Sequence, residues 1–206
     1  MHILAKAVPL SIALFMAVPA ANAAIVLRKY EYFALNGRTA ADLDRELSRR
    51  GPKLKTTGQR HPGSTQMRFT NRIKYGSDGK SCRVVDANIV VHAQVHLPRW
   101  NQRRTAQPDL ALIWDTLSAD IKRHEESHIV IARTAAGNME RQIKALPWRR
   151  DCATLKNDID MLTSKLMKQH DLAQLQFDKV EGINFESRFE RLLTYRLIRE
   201  FGGQKP

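Results

Sequence analysis

Cysteine is scarce in this chain, with only Cys82 and Cys152 among 206 residues. That excludes a disulfide-dense scaffold, and the two residues have no zinc-ligand spacing to one another. Acidic residues are outnumbered, 21 against 34 Lys and Arg, giving a net charge of +13. The positive charge is spread out, with small clusters at Arg49-Arg50, Arg103-Arg104 and Arg149-Arg150. No arginine-rich tract or RNA-binding aromatic motif accompanies it, so nucleic acid is not an expected partner. A solvated basic surface is the plain reading, with weak attraction to an anionic envelope surface as a further expectation. Long apolar runs are missing as well. Val8 to Val18 is mostly apolar but short, and Pro9 and Pro19 interrupt it, which does not make a membrane span. Internal repeats and low-complexity segments are absent.

What is present begins with an export signal. Lys6 precedes the short apolar run, and Ala21-Asn22-Ala23 has the small-x-small form of a cleavage site. Residues 1–23 are therefore expected to be a signal peptide, with a retained N-terminal anchor as the alternative. No cysteine stands at the cleavage site, which argues against a lipoprotein. Residues 24–206 remain as one domain, long enough to bury a core. The expected location is periplasmic or secreted. In such a compartment two cysteines suggest one disulfide between Cys82 and Cys152. It would close a loop of about 71 residues and stabilise by roughly 4 kcal/mol. A pair of buried free thiols is the alternative.

The remaining pattern predicts an α+β domain, a small antiparallel sheet with an N-terminal helix followed by a helical half. Ala24 to Leu35 reads as a strand ending at Asn36-Gly37. Thr39 is placed to cap a helix over Ala40 to Arg50, with Leu43 and Leu47 on one face and Gly51-Pro52 as its stop. Lys53 to Ser64 reads as a loop. Met67 to Tyr75 and Cys82 to Leu97 form a hairpin around Gly76-Ser77-Asp78-Gly79. Ile89, Val91, Ala93, Val95 and Leu97 face one side of the second strand, and His92, Gln94 and His96 the other. Those two histidines would stand about 13 Å apart, too far to share an ion. Pro108-Asp109 opens a long helical pattern, one helix or two, running to about Leu146. Asp151 caps another over Cys152 to about Phe177, Gly182 breaks the pattern, and Phe185 to Phe201 closes the chain as an amphipathic helix.

Inside the long helical pattern stands His124-Glu125-Glu126-Ser127-His128, an HExxH motif. Residues four apart share a helix face, so both imidazoles can close on one metal ion, with Glu125 beside them as a base. On a helical template Ile113, Leu117, Ile121, His124, His128, Ile131/Ala132 and Ala135 make one stripe. The histidines interrupt that apolar stripe, and a buried imidazole needs a partner such as Zn2+. Two ordinary core histidines are the alternative. Glu126 points elsewhere and reads as a surface charge. A catalytic zinc takes three protein ligands. The HExxHxxGxxH arrangement is excluded by Ile131 and Thr134. The third ligand must come from farther along, from His170, Asp178, Glu181 or Glu186, and spacing does not choose among them.

The chain resembles a bacterial family of predicted secreted zinc-dependent proteases, a domain of unknown function. The resemblance covers nearly all of the chain after residue 23. It is carried by Gly51-Pro52, Cys82, Leu97-Pro98-x-Trp100, Trp114 ahead of the motif, HExxH itself and Cys152. It implies a zincin-like domain, a signal peptide and a Cys82–Cys152 pair. The family closes on Tyr-Asp-x-x-Thr-x-His-Gly, where this chain reads Phe177-Asp178-Lys179-Val180-Glu181-Gly182-Ile183-Asn184. Ile183 replaces the histidine of that pattern. If that histidine is the third ligand it is lost here; if the aspartate is, Asp178 keeps the site, with Glu181 as its rival.

Two functions are therefore expected to compete. One is a secreted or periplasmic zinc-dependent peptidase, a hydrolase of peptide or protein substrates in which Glu125 takes a proton from the attacking water. Its substrate would add as a strand to an edge such as His92 to Leu97. The other is a non-catalytic envelope protein on a zincin scaffold with a degenerate third ligand.

Overall fold

The structure, a computed structural model, describes residues 24–53 and 58–202. The expected signal peptide over 1–23 lies outside the described residues. The element order is β1 (Ile25–Leu35), α1 (Ala40–Arg50), β2 (Ser64–Ser77), β3 (Cys82–Trp100), a short 3-10 turn (Arg103–Thr105), α2 (Pro108–Lys144), α3 (Cys152–Ile183) and α4 (Phe185–Phe201). The fold is α+β, three strands and then a helical half, as the sequence pattern predicts.

Local chemistry sets most of these limits. Thr39 accepts from the Asp42 amide while the Asp42 carboxylate accepts from the Thr39 amide, a reciprocal cap that starts α1. Asp151 accepts from the Thr154 amide and starts α3. Pro108 opens α2, which runs unbroken to Lys144. In α3 the expected break at Gly182 does not occur. The helix passes through it to Ile183, and the chain bends at Asn184 instead. One glycine costs a helix only about 1 kcal/mol, and Arg188 of α4 donates to the Glu181 carbonyl across the bend at 3.3 Å.

The sheet order is β1-β3-β2. β2 pairs with β3 antiparallel as expected for a hairpin, but β1 pairs with β3 in parallel, with Ile25 opposite Val90 and Leu35 opposite Trp100. The sheet is thus mixed rather than purely antiparallel, because the chain crosses over through α1 and β2 before the central strand is laid. This also corrects the docking strand. His92 to Leu97 belongs to the central strand and has a partner on each side, so it cannot accept a substrate; the open edges are β1 and β2. The alternation along β3 is as predicted, with Ile89, Val91, Ala93, Val95 and Leu97 buried. They pack on Ile121, Ile129, Ala132, Ala136 and Met139 of α2. His92 and His96 lie on the outer face, beside Thr70 and Glu31.

Cys82 and Cys152 form the disulfide, with Cα atoms 5.1 Å apart. It ties the start of β3 to the start of α3. Paired backbone bonds between Cys82 and Arg149, of 2.7 and 2.9 Å, hold the same corner. Among the described residues no helix is long and apolar enough to cross a membrane.

Candidate metal centre

The motif helix is rotated relative to the stripe drawn from the sequence. Its buried line is Trp114, Ile121, Glu125, Ile129, Ala132, Ala136 and Met139, while Ile113 is 38% exposed. α2 must satisfy the sheet above it and α3 beside it, so its apolar sector is shifted by about one residue. Glu125 is the buried member of the motif, 5% exposed. The histidine side chains stand at the edge of the core, 26% exposed for His124 and 13% for His128, and face α3.

α3 meets them with one face of its own. Gln174, Asp178 and Glu181 recur at helical spacing and so project together toward α2. Asp178 Oδ1 lies 3.4 Å from His124 Nε2 and 3.1 Å from His128 Nε2, and the two Nε2 atoms are 3.2 Å apart. These three residues are a group able to hold one ion. Donors bound to zinc at about 2.0–2.1 Å in tetrahedral array stand about 3.3–3.4 Å from each other. The donor types are those zinc takes, and their separations of 3.1–3.4 Å lie at or slightly below this spacing.

The second nitrogen of each ring is also engaged. His128 Nδ1 is 2.6 Å from Gln174 Oε1, an acceptor, so Nδ1 carries the proton and Nε2 presents its lone pair. The Gln174 amide nitrogen donates to the His128 carbonyl at 3.1 Å and to His170 Nε2 at 2.8 Å. His170 Nδ1 in turn donates to Asp171 at 3.0 Å. Along this run from Asp171 through His170 and Gln174 to His128 each donor meets an acceptor, which fixes the direction of the Gln174 amide. On the other ring, His124 Nδ1 lies 3.5 Å from Glu181 Oε2. Burial, and then the neighbouring His128, push the His124 pKa down, which favours the neutral imidazole a metal needs. With its proton on Nδ1, His124 would turn a second imidazole lone pair toward His128 Nε2 and Asp178 Oδ1, the arrangement a cation would bridge.

The remaining ligand candidates are thereby placed. Glu181 stands behind His124, held by Arg123 and, at 3.4 Å, by Arg188. His170 is buried behind Gln174, edge-on to Phe69 at 5.0 Å. Glu186 is exposed at the start of α4. Ile183, at the family's histidine position, is 74% exposed and does not line the cleft. Glu126 is bonded by the Tyr30 hydroxyl at 2.8 Å.

Glu125 lines the same cavity as His124 and Asp178, a space of about 200 Å³. The Thr65 hydroxyl donates to its Oε2 at 2.8 Å. Its Oε1 abuts Gly63, where an added Cβ would come within 2.8 Å. Burial pushes the Glu125 carboxyl above the usual carboxylate range; Thr65 and His128 oppose this and Asp178 adds to it. The strand start that supplies Gly63 and Thr65 is brought in by another close approach. A Cβ at Gly51 would meet the His61 carbonyl oxygen at 2.1 Å. Gly51 thus lets the His61-Pro62-Gly63 segment lie against the end of α1 and over the motif.

Residues 30–186 match the family described as "Bacterial protein of unknown function (DUF922)", and the chain belongs to that family. No match was found among curated proteins or among solved structures.

Proposed function

We propose that this protein is a zinc-dependent peptidase acting outside the cytoplasm, with His124, His128 and Asp178 as ligands and Glu125 as general base. The observation that carries this reading is the convergence of His124 Nε2, His128 Nε2 and Asp178 Oδ1, at 3.1–3.4 Å from one another, beside a buried carboxylate. A zinc ion held by these three would supply Lewis acidity to a peptide carbonyl and to the attacking water. Glu125 accepts the proton of that water and returns it to the leaving amine. Its raised proton affinity suits the first transfer, and its bond to Thr65 keeps the carboxylate in place. Gln174 and Glu181 keep the imidazoles turned toward the metal position. The open edge of β2, which begins at Ser64 beside Glu125, offers backbone donors and acceptors to an extended substrate. The disulfide suits an oxidising compartment, and the resemblance to secreted zinc-dependent proteases points the same way.

The test is Glu125→Gln. The amide cannot accept the proton, so the variant is expected to keep its zinc and lose peptidase turnover by at least about a hundredfold. Unchanged turnover would replace the enzyme with a non-catalytic metal-binding scaffold.

A further inference from the structure

We propose that the apolar groove between α1, α2 and α4 receives one bulky aliphatic or aromatic side chain of the peptide cut at the metal site. This assignment rests on the peptidase reading above. The groove encloses about 430 Å³ between Leu43 and Leu47 of α1, Ile113 and Leu117 of α2, and Phe185 and Phe189 of α4. That is the size of a small-ligand pocket rather than of a protein interface.

Its occupant follows from what it adjoins. His61, Pro62 and Phe185 wall both this groove and the cavity that holds His124, Glu125 and Asp178. The two spaces therefore adjoin across a shared wall, with His124, Glu125 and Asp178 on one side and the leucines and Ile113 on the other. Past Gly63, one residue after Pro62, the chain enters β2, whose free edge can hold an extended backbone. A strand laid there carries side chains past Pro62 at alternate positions. A side chain entering the groove would cover Ile113 and Phe185, which stand 38% and 40% exposed.

The walls are also fixed in advance. Phe185 and Phe189 stack with centroids 5.8 Å apart. Between them in sequence, Arg188 reaches across to buried Asp120 at 3.2–3.3 Å. α4 is thereby pinned to α2, and little ordering cost is left for the ligand to meet.

The experiment titrates zinc-loaded Glu125→Gln protein with end-blocked pentapeptides that differ only at the central residue, Phe, Leu, Ala or Glu. Phe and Leu peptides are expected to bind at least about tenfold tighter than Ala and Glu peptides. Ile113→Trp, which fills the groove, and Ile113→Asp, which charges it, should each abolish the preference while zinc content stays as in the parent. Equal affinity for all four peptides, or a preference that survives both variants, would overturn the assignment. The titration is repeated on metal-free protein, since none of the groove walls is a ligand. Apolar preference in a chain that takes up no zinc would remove the peptidase reading and keep the groove as a peptide site. Zinc uptake without preference would remove the groove alone.

Discussion

Gln174 decides which nitrogen of His128 is available, and it does so through one acceptor at 2.6 Å. Its amide is itself oriented by the His128 carbonyl and by His170. Gln174→Leu is expected to weaken zinc binding by about 10–100-fold. Gln174→Glu keeps the acceptor for His128 Nδ1 but loses the donor to the His128 carbonyl, so its affinity should fall between those of the leucine variant and the wild type. Competition with a chelator of known affinity measures both; wild-type affinity in the leucine variant would refute the tautomer argument. The histidines and Glu125 were legible in the sequence because an i, i+4 spacing is local and becomes geometry as soon as the helix forms. Which of the four ligand candidates faces the motif was not legible, because it depends on the register of α3 against α2, and that register places Asp178 beside both histidines. Gln174 escaped notice entirely. Its one signal is its position four residues before Asp178 on the same face, and that signal has meaning only once Asp178 is known to face the motif.

Among the elements, α4 is held to the motif helix by an ion pair buried at its core. Asp120 is 4% exposed and bonded by Arg123 at 2.8 Å and by Arg188 at 3.2–3.3 Å. Burial raises the Asp120 pKa, but the hydrogen bonds and charges of the two arginines outweigh it, so the carboxyl sits below its ordinary value of 3.8. A folded-state pKa below the unfolded one stabilises the fold above the unfolded value, and the contribution fades as pH falls through the folded value. Thermal unfolding followed from pH 7 down to pH 3 should show a loss of stability below about pH 4. Asp120→Asn should be less stable at pH 7 and should lose less on acidification; parallel curves for the two proteins would contradict this role. The helices themselves were largely readable from Thr39, Pro108 and Asp151, because caps act within one turn. The end of α3 was not, since packing of α3 and α4 against α2 overrides the weak helix-breaking tendency of Gly182.

For the whole molecule, the α+β class and the disulfide followed from composition, pattern and the order of elements. The parallel pairing of β1 with β3, and hence the identity of the open edges, did not. Strand sense depends on contacts between residues some 65 positions apart, as between Ile25 and Val90, which no local periodicity encodes. The same long-range assembly brings α3 against the motif helix and sets Asp178 beside His124 and His128, side chains from two distant segments. The most direct measurement is therefore zinc per chain, by elemental analysis, in the purified protein and in His124→Ala, His128→Ala and Asp178→Ala. The account predicts about one zinc in the wild type and marked loss in all three variants, Asp178→Ala included. Equal metal content in the wild type and the three variants would contradict it.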